Sequence, residues 1–140
     1  MGYYSSNKQL EQAIELKCSN EVFNTIEELY NALETQGWCK YSAYKENMWN
    51  PQNKCNGQCN ATVLLVQEYF GGDIVKYPNP SRDKKMHYFN RIGECDIDLT
   101  SAQFNTTLNY EQQNKTMKAS SIGFDKECYI LKLRIGLEKI

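Results

Sequence analysis

The stretch Gly57-Gln58-Cys59-Asn60-Ala61-Thr62-Val63-Leu64-Leu65-Val66 decides how the rest of the chain must fold. From Cys59 to Tyr69 the residues are apolar almost all round, as expected of a helix buried in the middle of a domain, and Gly71-Gly72 ends it. A cysteine stands in its first turn. There the unpaired N–H groups and the positive end of the helix dipole favour a thiolate over a thiol. Downstream come His87, the only histidine in the chain, and Asp98. A neighbouring imidazole can take the thiol proton, and a carboxylate can hold that imidazole in the useful tautomer.

The sequence after the helix predicts strands. Asp73-Ile74-Val75-Lys76-Tyr77 reads as the first, Met86–Arg91 as the second and Glu94–Leu99 as the third. A Pro78–Lys85 loop and an Ile92-Gly93 turn separate them. Strand side chains alternate faces, so parity decides which can meet. A two-residue Ile92-Gly93 turn pairs Arg91 with Glu94 and sets His87 opposite Asp98. A four-residue loop leaves the two diagonal on one face, and a three-residue loop separates them. Asp96 shares the Asp98 face and is the alternative third member. Asn90 has the opposite parity and should face away, but it stays a candidate because Cys/His/Asn sites exist. Asp98 could also simply cap the turn that follows it.

Residues 7–18 are weakly helical. Residues 20–36 make a firmer helix: Asn20 can cap it, Val22, Phe23, Ile26, Leu29, Tyr30 and Leu33 recur at helical spacing, and Gly37 stops it. Residues 38–57 form a long polar approach loop, and its aromatics, Trp49 among them, mark it as the wall of a site. Residues 100–104 look like a capped turn or a helical start, 105–119 like a surface loop with room to move, and 125–140 like a closing helix, with a strand left open by its β-branched content. The expected fold is α+β and spans residues 1–140 as a single domain. N-terminal helices, including the buried cysteine-bearing central helix, pack on a small antiparallel sheet, and a C-terminal helix closes the chain.

The totals exclude several classes of function. The 140 residues carry a net charge of −1, so no electrostatic footprint for nucleic acid or an anionic membrane is expected. No apolar run approaches the ~20 residues of a membrane span. The N-terminus lacks a secretory pattern, and its Met-Gly-x-x-x-Ser match to a myristoylation site reads as coincidence. Six cysteines without an export signal point to the reducing cytoplasm rather than to three disulfides. No cofactor motif is found. Cys55 and Cys59, with Cys39, Cys95 or His87, could instead form a zinc site, although the Cys-x₃-Cys spacing has no second paired cluster. A third reading is a non-enzymatic protein that holds a peptide or small molecule in an aromatic-walled cleft.

Five blocks in order carry a family likeness: Trp49-Asn50-Pro51, Gly57-Gln58-Cys59-Asn60-Ala61-Thr62, Gly71-Gly72-Asp73-Ile74, His87-Tyr88-Phe89-Asn90-Arg91 and Asp96 to Phe104. Together they resemble the small bacterial YunG-like proteins over about residues 45–104. That resemblance implies a compact relative of the papain-like or transglutaminase-like cysteine hydrolases. Cys59 would then be the nucleophile, His87 the base and later the acid, and Asp98 the orienting group. Papain-like sites also imply an oxyanion donor upstream of the cysteine, for which Gln52 and Gln58 are equal candidates, with the Cys59 backbone N–H as a second. The expected activity is cysteine-dependent acyl transfer on a peptide or a small amide or ester. Peptidase, amidase and transferase outcomes all remain open, as does the oligomeric state.

Overall fold

The computed structural model describes residues 23–80 and 85–139. The helix expected over 7–18 and the proposed Asn20 cap lie outside them. Helix α1 (Ile26–Ala32) begins at Thr25, whose hydroxyl accepts the Glu28 N–H at 3.1 Å. It buries Ile26 and Leu29 and runs into a wider turn, Leu33–Gly37, closed by Trp38 N–H donating to the Leu33 carbonyl. A Cβ on Gly37 would stand 2.9 Å from Leu33 Cδ2 and 3.0 Å from Ile135 Cγ2. Any larger residue here would make the Leu33 or Ile135 side chain shift where this end seats against the last helix.

Helix α2 (Cys59–Phe70) is the hub. Its first eight residues, Cys59 to Val66, are all buried, as the unbroken apolar run requires. It packs against β2 on one side and α4 on the other. Burial of Leu65 and Val66 alone contributes about 1.5–3 kcal/mol for each side chain. The short α3 (Ala119–Ile122) precedes α4 (Asp125–Ile135). Helix α4 carries Asp125 and Glu127 in its first turn and Lys132 and Arg134 in its last, matching its dipole. It stops at Gly136 in the left-handed region, short of the expected 125–140.

Strands β1 (Asp73–Pro78), β2 (Met86–Ile92), β3 (Cys95–Ile97) and β4 (Thr116–Met117) form an antiparallel sheet in the order β3-β2-β1-β4. With four α-helices among the described residues, the architecture is the α+β class expected. Gly72, with φ 78°, leads into β1 at a point where a Cβ would meet the Arg91 carbonyl at 2.5 Å.

Two expectations need correction. The turn between β2 and β3 is Gly93-Glu94 rather than Ile92-Gly93, because Ile92 pairs with Cys95, Arg91 with Asp96 and Asn90 with Ile97. The register therefore differs by two from the expected one, which keeps parity: His87 and Asp98 become diagonal neighbours on one face. Glycine at φ 62° is what places the turn there.

The second concerns the looseness of residues 105–119, which are a mostly exposed surface loop as expected but are tied down through buried Leu108 and Tyr110. One sheet face, with Ile74 and Ile92, joins α1, α2 and α4 in the main core. The opposite face, with Val75 and Phe89, is covered by Leu108 and Tyr110. The segment is a strap across the sheet, and its end supplies edge strand β4, pairing Ile74 with Met117. No helix of the described residues is long and apolar enough to cross a membrane.

Candidate active site

Cys59 opens α2, and Gly57 shapes the approach to it. Gly57 sits at φ 78°, where a Cβ would lie 3.0 Å from Met48 Cβ, and its carbonyl accepts the Tyr44 N–H at 2.7 Å. The turn brings the chain directly into the helix, where the Cys59 thiol lies 3.5 Å from the Asn60 side-chain oxygen. Cys59 lines a cavity of about 230 Å³. Tyr44 and Met48 enter it from the approach loop, Lys85 and Tyr88 from the start of β2, and Gln103 from the turn after β3.

His87 is fully buried, and its Nε2 lies 2.6 Å from Asp98 Oδ2. The Phe104 ring meets the imidazole edge-on at 4.7 Å between centroids. The other ring nitrogen, Nδ1, is buried and makes no hydrogen bond among the described residues. Burial by itself pushes the imidazole down. The charge and hydrogen bond of Asp98 outweigh it, the nearby Cys59 sulfur adds to the rise, and the group is raised to about 10. Cys59 also acts on Tyr88, whose phenol burial first and that sulfur second push upward.

Asp98 does both things its position allowed. Its Oδ1 accepts the Thr100 N–H at 3.2 Å and the Thr100 hydroxyl at 3.3 Å, capping the turn, while Oδ2 holds His87. A second donor reaches Oδ2: the Tyr110 hydroxyl, at 2.7 Å. Tyr110 is not among the residues the sequence singles out, because it lies in the polar strap. The spacing Leu108-x-Tyr110, two large apolar groups with one parity, was the available signal.

Several expected residues stand elsewhere. Asp96 is not the partner of the imidazole, since it accepts from Arg91 Nε at 2.5 Å. Asn90 faces the opposite side of β2 and donates to the Val63 carbonyl of α2 at 3.0 Å, tying sheet to helix. Gln58 is wholly buried, with Oε1 accepting from the Ser42 hydroxyl at 2.6 Å and Nε2 donating to the Cys39 carbonyl at 2.9 Å. Its Oε1 and one Nε2 hydrogen are held inside the fold, and Gln58 is not among the residues lining the cavity. Gln52 is exposed beside the Asn50 turn and does not line the cavity. Trp49 does not line it either; Tyr44 and Met48 take the place expected of it.

Nor do the cysteines gather. Among the described residues no three of His, Cys, Asp and Glu are grouped as a metal site, so the Cys55/Cys59 zinc reading lacks a ligand set. Cys55 turns toward the Thr100 carbonyl at 3.7 Å, and burial, then the Asp98 charge, push its thiol up to about 12. Cys39 faces Ser42, and Cys95 is buried on β3.

Comparison with known proteins extends the likeness well beyond residues 45–104. The chain is 30% identical over 94 residues to "Uncharacterized protein YunG" of Bacillus subtilis (strain 168), covering 67% of this chain and 76% of that one. No solved structure matches it. The family model described as "YunG protein" matches residues 25–136, from the cap of α1 to the end of α4, and the chain therefore belongs to the YunG family.

Proposed function

We propose that the chain is a cysteine-dependent acyl-transfer enzyme in which Cys59 is the nucleophile, His87 the proton carrier and Asp98 the group that orients and charges the imidazole. One observation carries this reading. His87 Nε2 meets Asp98 at 2.6 Å while its other nitrogen stays buried without a hydrogen bond and Cys59 acts on the same ring. A cysteine and an imidazole together at the start of a helix are the pairing that supports nucleophilic catalysis by a thiol.

In the proposed reaction the Cys59 sulfur attacks the carbonyl carbon of an amide or ester. The carbonyl electron pair moves onto oxygen, where N–H groups of the first turn of α2, that of Cys59 included, receive the charge. As the tetrahedral adduct collapses, the imidazolium gives its proton to the departing amine or alcohol, leaving a thioester. His87 then takes a proton from water or an acceptor amine, which attacks the thioester and releases the acid or the new amide with the thiol. The cavity suits a small acyl group or one side chain of a peptide rather than an extended ligand. We read the helix-on-sheet arrangement as a compact papain-like form, supported by the cysteine at the helix start and the histidine on an antiparallel strand. A reducing, cytoplasmic setting fits the five described cysteines, all free.

The competing reading, a binding protein without turnover, draws on the depth of Cys59, which is only 7% exposed. A p-nitrophenyl ester separates the two. An enzyme releases a burst of p-nitrophenolate and carries the acyl group on Cys59, located by mass spectrometry, and Cys59→Ala abolishes both. Acylation that persists undiminished in that variant, or a folded wild type that is never acylated, refutes the nucleophile assignment.

A further inference from the structure

The strap over the outer sheet face is held by a continuous set of hydrogen bonds. Arg91 Nη1 donates to the Gln113 carbonyl at 2.7 Å and Nη2 to the Tyr110 carbonyl at 2.9 Å, while Asp96 fixes the guanidinium through Nε. Backbone at both ends of the Tyr110–Gln112 turn is thus clamped from β2. Tyr77 adds a third tie, its hydroxyl accepting the Asn109 N–H at 2.7 Å. The Tyr110 ring packs edge-on against Phe89 at 4.9 Å between centroids. With ring and backbone both fixed, its hydroxyl is delivered to the oxygen of Asp98 that His87 also uses.

We propose that Tyr110 is a positioning residue: clamped by Arg91, it fixes the Asp98 carboxylate and sets how strongly that carboxylate holds the His87 proton. A carboxylate divides its charge among its donors, and Asp98 has Thr100 on one oxygen and both His87 and Tyr110 on the other. Phenol donation draws charge away from the imidazole. Without it Asp98 would grip the imidazolium harder, leaving a weaker acid for the leaving group. The titratable groups facing His87 are Cys59 from α2, Asp98 after β3, Tyr110 from the strap and Tyr77, its partner across β1. Cys55 lies beyond Asp98 and carries no charge near neutral pH, its thiol having been pushed up to about 12 by burial first and Asp98 next. The catalytic consequence rests on the Cys59 nucleophile reading; the hydrogen-bond chain itself does not.

The chain has a single histidine, so protein labelled with ¹⁵N-histidine shows the two ring nitrogens of one imidazole and reads this site alone. Tyr110→Phe keeps the ring packing and removes only the hydroxyl. Its imidazole titration should move upward by roughly half a pH unit or more, and the Nε2 proton resonance should shift. A titration that is unchanged or falls in the folded variant overturns the assignment, since a purely structural tyrosine would lower the melting temperature without touching the imidazole. If Tyr110→Phe fails to fold, Arg91→Lys releases the strap carbonyls while leaving the phenol in place, and the same imidazole signal must then shift or broaden. Silence of Cys59 toward p-nitrophenyl esters would overturn the enzyme reading and leave this measurement intact.

Discussion

Ser42 donates its hydroxyl to the Gln58 side chain at 2.6 Å in a site closed to solvent, and that bond anchors the residue immediately before Cys59. The turn at Cys39–Ser42 thereby sets where α2 begins. Ser42→Ala strips the acceptor Oε1 of its donor while the rest of the amide stays buried, a loss of about 1–3 kcal/mol. Thermal unfolding should show a lower melting temperature. A value equal to that of the wild type would mean Gln58 finds another partner and is freer than its contacts imply.

Asn90 offers a clean separation of structure from chemistry. Its amide serves the Val63 carbonyl, on the face of β2 away from His87. Asn90→Leu should cost about 1–3 kcal/mol in urea unfolding. Below the unfolding transition, the rate at which iodoacetamide alkylates Cys59 should be unchanged. A large fall in that rate in a folded variant would return Asn90 to the catalytic group.

The pH dependence of stability follows from His87. Its folded value, about 10, lies above the unfolded reference of about 6.5. The contribution is therefore complete below about pH 6.5 and is lost as pH rises toward 10. Urea midpoints should show the gap between wild type and Asp98→Asn shrinking across that window. A gap that widens with pH would mean the imidazole is held neutral.

Lys85 is the charged side chain among the described lining of the cavity, with its Nζ 5.9 Å from the centre of the Tyr44 ring. It should favour anionic electrophiles at Cys59. Reversing the charge with Lys85→Glu should lower the ratio of iodoacetate to iodoacetamide alkylation by about threefold or more at low salt. An unchanged ratio would place the lysine charge too far from the sulfur to select substrates.

Selectivity among the thiols is a further expectation. Burial pushes Cys55 and Cys128 up to about 12 and raises Cys95. Near neutral pH these should react with iodoacetamide far more slowly than Cys59 in the folded protein, as peptide mapping would show. Equal labelling of Cys55 and Cys59 would remove the chemical distinction between them.

The one-dimensional pattern determined a good deal of this protein. An unbroken apolar run made α2 a buried helix, glycines marked its end, and β-branched and aromatic residues gave the strands. Parity put His87 and Asp98 on one face whichever two-residue turn joined their strands. Local rules were enough there because periodicity and turn chemistry act over a few residues.

Only the tertiary structure decided the rest. It chose Asp98 over Asp96, because Arg91 is close enough to claim Asp96. It turned Gln58 into a buried brace, because the Cys39–Ser42 turn folds back onto it. It placed Tyr110 on Asp98, although the surrounding sequence is polar and aperiodic. Leu108 and Tyr110 are buried by what the strap crosses rather than by a sustained repeat, so their own spacing is the sole local sign of it.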